Sequence, residues 1–246
     1  MSVFETEALI LRTYNLAEAD KIVVCLSRSS GLIRGVAKNC RKLKNRFGAS
    51  LEPFTLINLT YFEKEHQELV SFSQTEILRS RFNLSSDATL LNGFCYMGDL
   101  LLDFSPPRQA NDNLYRMALA CFEAASQSPS DLEWVLRYFE VWLLKLEGFL
   151  PDLRRCGSCN NALDNEEVLY LGSDLTLRCS NCRGGRVIAK AVHQQLRASE
   201  KLSPVKFAEG AREVPTATGK ELAQLTYQII SRVLERMPRA RPTFAQ

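Results

Sequence analysis

Four cysteines in two close pairs constrain the fold of this chain more than any other feature of its sequence. The pattern is Cys156-x2-Cys159-x19-Cys179-x2-Cys182. Two residues between cysteines let the backbone make one tight turn, so that both thiolates face a common centre, and two such turns complete a tetrahedron around zinc. The residues between the pairs predict a short hairpin. We therefore predict a zinc ribbon over residues 151–186, with one structural Zn²⁺, because four thiolates leave no position for a reacting water.

The two cysteine pairs have one interpretation besides a metal site. A pair of redox dithiols is the alternative, although redox chemistry needs only one such pair. The opening sequence MSVFETEALI has two acids and no basic n-region, which predicts a cytoplasmic, reducing location where disulfides are rare. The lone Cys25, Cys95 and Cys121 are typical of small buried thiols, whereas Cys40 lies among cations, where a lowered pKa would make it reactive.

Arginines flank both cysteine pairs. A zinc ion with four thiolates carries a formal charge of about −2, so neighbouring cations either compensate that charge or contact DNA. The sequence leaves both roles open for Arg154, Arg155, Arg178 and Arg183.

A basic segment in the first third of the chain reads GLIRGVAKNCRKLKNRFG, residues 31–48. From Arg28 to Leu51 there are seven basic side chains and no acid, in a chain whose net charge is only +3. Lysine and arginine at irregular spacing suit phosphates, which need charge and donors but no fixed register. A solvated basic loop is the alternative. The predicted contacts with the DNA backbone are Arg34, Lys38, Arg41, Lys42, Lys44 and Arg46.

The first eighty residues predict strands, and the rest predict helices around the ribbon. Short segments rich in Val, Ile, Leu, Thr, Phe and Tyr at 7–13, 21–27, 32–37, 54–62 and 68–74 predict a small barrel. An OB-fold is one such barrel and commonly holds single strands, while an SH3-like barrel fits the periodicity nearly as well. The aromatic residues Phe47, Phe54 and Tyr61 are predicted in the core, with stacking on bases as the alternative.

Helical periodicity begins after Arg81. Helices are predicted over 86–104, 114–125, 130–147 and 187–198, with a longer one from residue 218. Capping boxes are predicted at Ser130 to Glu133 and at Thr218 to Glu221. The predicted class is an α+β multidomain protein. Its parts are an N-terminal OB-fold β-barrel that binds DNA (1–80), an α-helical bundle (81–150 and 187–246) and the inserted four-cysteine zinc ribbon (151–186).

Charge distribution and missing motifs narrow the function. Residues 83–150 hold four Lys/Arg against nine Asp/Glu, whereas residues 183–246 hold twelve against five, which indicates an anionic partner for the basic parts. There is no glycine-rich phosphate loop, HExxH or nucleophile elbow, and no window long and apolar enough for a membrane helix. His66 and His193 stand outside any motif and are predicted at the surface. We therefore predict a protein that is not an enzyme, has no catalytic residues and does not enter a membrane.

The order of these parts resembles the RecO family of bacterial DNA repair and recombination mediators, in its zinc-containing type. The residues that carry the resemblance are ETEALILRTYNLAEADKIV with the acidic turn of Glu18 and Asp20, the basic segment with the following LEPF, and LEGFLPDLRRCGSC with its downstream CSNC. The family usually has glycine at the position of Asn39 and a serine near Asn45, and Asn tolerates the positive φ that such a glycine permits. Some members lack the zinc cysteines, which implies that the ribbon supports the fold.

The resemblance implies a function in the RecF pathway. Such a protein would bind single- and double-stranded DNA, anneal complementary strands and engage the C-terminal tail of the single-strand-binding protein. With RecR it would help to load RecA, so RecF and RecA would be indirect partners, in the cytoplasm at the nucleoid. Two other classes stay open from the residues alone: a zinc-dependent nuclease or hydrolase, and a zinc-ribbon RNA or transcription accessory protein.

Overall fold

Five strands at the start of the chain close into a barrel. The structure is a computed structural model that describes residues 2–63, 67–81 and 86–238. The strands are β1 (Ser2–Asn15), β2 (Lys21–Ser27), β3 (Gly31–Ala37), β4 (Leu56–Glu63) and β5 (Val70–Arg79). They hydrogen-bond in the order β1-β2-β3-β5-β4, and β1 closes the barrel by pairing with both β2 and β4. This five-stranded arrangement, with β3 and β5 parallel, is of the OB type and confirms the predicted fold class over the SH3-like alternative.

The barrel interior follows the alternation of each strand. Ala8 and Ile10 of β1, Val23 and Cys25 of β2 and Ile33 of β3 belong to one buried cluster. Gly35 is required where β3 meets β5, because a Cβ there would lie 2.1 Å from the ring of Phe72. The side chains between these positions, Leu9 and Val24, are also buried, at 0% and 3% exposed, so this part of β1 and β2 is covered on both faces.

Two helices follow the barrel strands. Helix α1 (Ala88–Phe104) begins at Asp87, whose side chain accepts a hydrogen bond from Leu90 N, and it packs against β1. It ends before Pro106 and Pro107, which cannot continue a helix. Helix α2 covers Asp112–Gln127. The chain divides into two compact units, Met1–Leu119 and Ala120–Pro238, and the predicted division into three parts remains a prediction.

The second unit is built around α3 (Leu132–Leu146), which is buried over most of its circumference. It packs against α4 (Lys190–Ser199), α5 (Pro204–Ala211) and α6 (Thr216–Val233). Helix α5 was not predicted, although Ser203 as N-cap followed by Pro204 is a typical helix start. The predicted central position of α3 in a bundle is therefore confirmed.

A three-stranded sheet lies between α3 and α4 in the chain. It consists of β6 (Val168–Leu171), β7 (Leu177–Arg178) and β8 (Arg186–Ala189), in the order β7-β6-β8. The hairpin of β6 and β7 agrees with the prediction. The prediction that residues 187–189 are helical was wrong, because they pair with β6 as β8 before α4 begins.

Both predicted capping boxes were wrong. Ser130 lies within a 3₁₀ turn, Pro129–Asp131, that precedes α3, and the α3 cap makes no side-chain bond. Likewise α6 begins two residues before Thr218, and Glu221 accepts from Ala189 N at 3.0 Å. In both places a tertiary contact or an extra turn replaced the local pairing that the spacing suggested. The tail over 239–246 lies outside the described residues.

A buried ion pair lies in the middle of α3. Arg137 and Glu140 are 1% and 0% exposed, with Nη1 and Oε2 3.1 Å apart. Thr226 of α6 donates to the same carboxylate oxygen at 2.6 Å. A buried pair of this kind is costly to break, because removing one partner leaves the other charge in a medium that solvates it poorly.

We expect Glu140→Leu to lower the free energy of unfolding by about 3–5 kcal/mol. The double variant R137M/E140L, which removes both charges and keeps the volume, is expected to lose much less. Urea denaturation followed by tryptophan fluorescence measures this directly, because both tryptophans of the chain, Trp134 and Trp142, are on α3. An equal loss of unfolding free energy in the single and double variants would contradict the cost assigned to an unpaired buried charge.

Candidate nucleic-acid interface and metal centre

The basic loop connects β3 to β4 over residues 38–55, and the acidic turn after β1 anchors its start. Asp20 Oδ1 accepts a hydrogen bond from Asn39 N at 2.7 Å, and Arg41 N donates to Ala19 O at 3.1 Å. Asn39 has φ of 58°, in the left-handed region that glycine or asparagine adopts most readily. The predicted tolerance of Asn39 for this conformation is confirmed.

Asn45 organises the tip of the basic loop. Its Oδ1 accepts from Phe47 N and Gly48 N, both at 2.9 Å, and its Nδ2 donates to Lys42 O at 3.0 Å. Such an Asx turn fixes the backbone where a serine would bond more weakly. Immediately after the turn, Phe47 and Leu51 enter the barrel core. The loop is therefore ordered by its own amide side chain and by two apolar anchors.

All six predicted phosphate-binding residues are exposed on this loop or on β3. Arg41 Nη1 donates to Ala17 O at 3.1 Å, and Arg46 Nη2 donates to Phe72 O at 3.1 Å. Within residues 2–63, 67–81 and 86–238, no carboxylate pairs with any member of this set, which we call the loop cations. They are Arg34, Lys38, Arg41, Lys42, Lys44 and Arg46.

Other arginines of the same unit have acidic partners. Arg12 pairs with Asp99, Arg28 with Asp112 and Arg108 with Glu63. None of the loop cations is therefore neutralised by an ion pair within the described residues, and these side chains are available to an anion. Among the loop cations, Arg41 and Arg46 are held by backbone carbonyls, which reduces the side-chain entropy lost when they bind a phosphate.

The aromatic residues considered for base stacking are in the core. Phe47, Phe54 and Tyr61 are each 3% exposed, which confirms the core prediction and excludes the stacking alternative. Sequence reasoning missed Tyr14 instead, which is 48% exposed on β1. It lies in register with Ile22, which in turn lies opposite Val36. These three side chains form a row across β1, β2 and β3, and strand alternation was the signal that could have identified it.

The four cysteines of the ribbon lie together in the second unit. Their sulfur atoms are all within 4.8 Å of one another, and Cys159 Sγ is 3.6 Å from Cys179 Sγ. A tetrahedron with Zn–S bonds of about 2.3 Å has sulfur atoms about 3.8 Å apart. The cluster therefore has the donor set and dimensions that a zinc ion requires.

Each cysteine turn is closed by a backbone hydrogen bond to the carbonyl of its first cysteine. Asn160 N donates to Cys156 O at 2.8 Å, and Arg183 N donates to Cys179 O at 3.2 Å. Burial raises the pKa of Cys156, but hydrogen bonds from the backbone of Cys159, Cys179 and Ser158 outweigh it and lower the pKa to about 6. Donors directed at the Cys156 sulfur stabilise its thiolate, the form that binds metal. A hydrogen bond with Cys159 and burial instead raise the pKa of Cys182 to about 12.

The arginines around the cysteine cluster differ in their partners. Arg154 Nη2 lies 3.7 Å from Glu200 Oε2, and Arg178 Nη2 lies 3.0 Å from Asp174 Oδ2. Hydrogen bonds from Thr176 lower the pKa of Asp174 to about 2, so that carboxylate remains charged beside Arg178. Arg155 and Arg183 donate instead to backbone carbonyls of their own turns. These contacts tie all four side chains to the ribbon or to α4.

Several predictions for the remaining titratable groups need correction. Burial raises the pKa of Cys40, so a lowered pKa was the wrong expectation, although Lys21 opposes the shift. Cys95 is exposed, whereas Cys25 and Cys121 are buried as predicted. His193 is buried on the inner face of α4, where its Nε2 lies 2.7 Å from Leu153 O, and the surface prediction was wrong. His66 lies outside the described residues.

Among the residues that the structure describes, no helix combines the length and the hydropathy that crossing a bilayer requires.

An OB-type barrel with an uncompensated cationic loop, followed by helices and a four-cysteine ribbon, defines a class of nucleic-acid-associated proteins. The family description "Recombination protein O N terminal" matches residues 1–81, and "Recombination protein O C terminal" matches residues 85–242. The chain therefore belongs to the RecO family of DNA repair and recombination proteins.

Named relatives agree with this family. A protein of Koribacter versatilis named "DNA repair protein RecO" is 32% identical over 235 residues, which is 94% of each chain. Proteins of the same name from Dehalococcoides mccartyi (strain ATCC BAA-2266 / KCTC 15142 / 195) and Symbiobacterium thermophilum are each 31% identical. They cover 73% and 65% of this chain, and 70% and 63% of their own lengths.

Proposed function

We propose that this protein is a non-enzymatic mediator of DNA repair and recombination that binds single- and double-stranded DNA through the loop cations. The observation that carries the proposal is the set of six exposed cations with no carboxylate partner in the described chain, on a barrel of the OB type. Charge without a fixed register binds phosphates of any sequence, so this site is suited to DNA in general.

Annealing of complementary strands is the activity that this surface favours. A cationic site neutralises phosphates of two strands that otherwise repel, and base pairing then supplies the specificity. The row of Tyr14, Ile22 and Val36 offers bases of a single strand an apolar surface beside the phosphate contacts. No chemical step is needed, and none of the loop cations is placed as a catalytic group.

The proposed partners follow from family membership. They are RecR and the C-terminal tail of the single-strand-binding protein, with RecF and RecA acting indirectly as RecA is loaded onto coated DNA. The location would be the cytoplasm, at the nucleoid. We assign the four cysteines to one structural zinc ion, because a zinc hydrolase needs an open coordination position that four thiolates do not leave.

A strand-annealing assay on strands coated with single-strand-binding protein tests this proposal. We expect the protein to accelerate annealing, to leave the product strands uncleaved and to prefer DNA over RNA of the same sequence. Parallel reactions that measure strand cleavage and RNA binding separate the other classes. No acceleration of annealing, metal-dependent cleavage, or tighter binding to RNA would each overturn the proposal.

A further inference from the structure

A second basic surface lies on α6, in the unit that does not contain the barrel. Side chains four residues apart share one face of a helix, and on α6 these are Lys220, Gln224, Gln228 and Arg232. Arg186 of β8 joins them. Its Nη2 donates to Gln224 Oε1 and its Nη1 donates to Gln228 Oε1, both at 3.1 Å. The guanidinium is therefore fixed across two successive turns of the helix.

The cations of this face are held by neutral groups. Arg232 Nη1 donates to Ser173 O at 2.6 Å, and Lys220 is exposed. Across the described ranges, no carboxylate forms an ion pair with Lys220, Arg186 or Arg232. The only acid within α6, Glu221, accepts from Ala189 N instead. Neutral partners orient a cation without cancelling its charge, so this surface, like the loop cations, retains a positive field.

The dimensions of the face fit a nucleic-acid backbone. Twelve residues separate Lys220 from Arg232, which is about 18 Å along a helix axis. A strand of duplex DNA has one phosphate for every ~3.4 Å of its axis, so the face extends past about five phosphates. The Nε2 groups of Gln224 and Gln228 are additional donors of the kind that bind sugar-phosphate oxygens.

We propose that Lys220, Arg186 and Arg232, with Gln224 and Gln228, form a second DNA-backbone site, which we call the α6 site. The inference rests on the proposed function and deepens it. Because the loop cations and the α6 site are in different compact units, one chain would hold two strands at once. Such a division of sites explains how annealing could proceed without any group that reads sequence.

Binding of a 40-nucleotide single strand and a 40-base-pair duplex by the full chain, measured over a range of salt concentrations, tests the α6 site. Loss of two phosphate contacts in R186Q/R232Q is expected to reduce the slope of log affinity against log salt by about 1.4 for the single strand and about 1.8 for the duplex. The charge-conserving variant R186K/R232K is expected to keep the wild-type slope. A merely structural role for the bridge to Gln224 and Gln228 predicts that both variants fail alike.

Two further measurements keep the outcome decisive. The variant K201Q/K206Q, which removes two exposed charges of the same unit outside this face, is expected to leave both slopes unchanged. Annealing by R186Q/R232Q is expected to slow by more than its single-strand binding weakens. Wild-type slopes in R186Q/R232Q, or binding of an acidic peptide that DNA does not displace, would overturn the α6 site. Failure of loop variants to weaken DNA binding would instead overturn the proposed function.

Discussion

Removal of the metal, or the substitution Cys156→Ser, is expected to unfold the ribbon while leaving the barrel intact. Structural zinc sites of small domains contribute apparent binding free energies of about 10–16 kcal/mol, and without the ion such domains do not fold. The sheet of the ribbon is small, since β7 has only two residues, Leu177–Arg178. Unfolding of the ribbon would also break the hydrogen bond that Arg232 Nη1 donates to Ser173 O.

The expected readouts are one zinc ion per chain in the purified protein, none in Cys156→Ser, and new tryptic cleavage within residues 154–186 of the variant. We expect the melting temperature of the second unit to fall by about 16 °C, as a loss of about 4 kcal/mol would give in a domain of this size. Cys95→Ser, an exposed cysteine outside the cluster, is the matched control and should change none of these. A zinc-free chain with unchanged melting and protease resistance would contradict a structural metal.

Replacing three loop lysines by glutamine, K38Q/K42Q/K44Q, is expected to weaken single-strand DNA binding about 50-fold at 0.15 M salt. Each phosphate contact with single-stranded DNA contributes about 0.7 to the slope of log affinity against log salt, so the loss of three contacts lowers the slope by about 2.1. If the variant and the wild type have equal affinity at 1 M salt, this difference in slope gives about 50-fold at 0.15 M. These lysines are exposed, and glutamine at each of them leaves in place the hydrogen bonds from Asn39 N to Asp20 and from Phe47 N to Asn45 Oδ1.

The control for this variant changes the side chains without changing the charge. K38R/K42R/K44R is expected to bind within about twofold of wild type, because unspecific phosphate contacts depend on charge more than on donor geometry. Circular dichroism of both variants should match wild type, because the loop is anchored by Phe47 and Leu51 and not by the lysines. Equal weakening in both variants would assign the effect to loop structure.

The sequence predicted the parts of the fold whose signals are local. Cysteine spacing located the cysteine cluster and alternation located the five strands, but periodicity left an SH3-like barrel open, and only the strand order of the structure decides for the OB type. The resemblance, with glycine usual at the position of Asn39, allowed for the positive φ that Asn39 adopts.

Features set by tertiary contacts were missed. The capping boxes failed because Glu221 bonds the backbone of Ala189 and a 3₁₀ turn precedes α3. The buried position of His193 depends on Leu153, forty residues earlier in the chain. Arg186 belongs to no sequence motif, and only the fold brings its guanidinium to Gln224 and Gln228 of α6. Such contacts join residues that no spacing rule connects.

The most direct test of the loop site is the salt dependence of single-strand DNA binding by wild type, K38Q/K42Q/K44Q and K38R/K42R/K44R, measured on the full chain. We predict that the glutamine variant has a slope smaller by about 2.1 than wild type, and that the arginine variant has the wild-type slope. The affinities of all three proteins should converge as the salt concentration approaches 1 M. A glutamine variant with the wild-type slope and affinity would show that DNA does not bind at the loop cations.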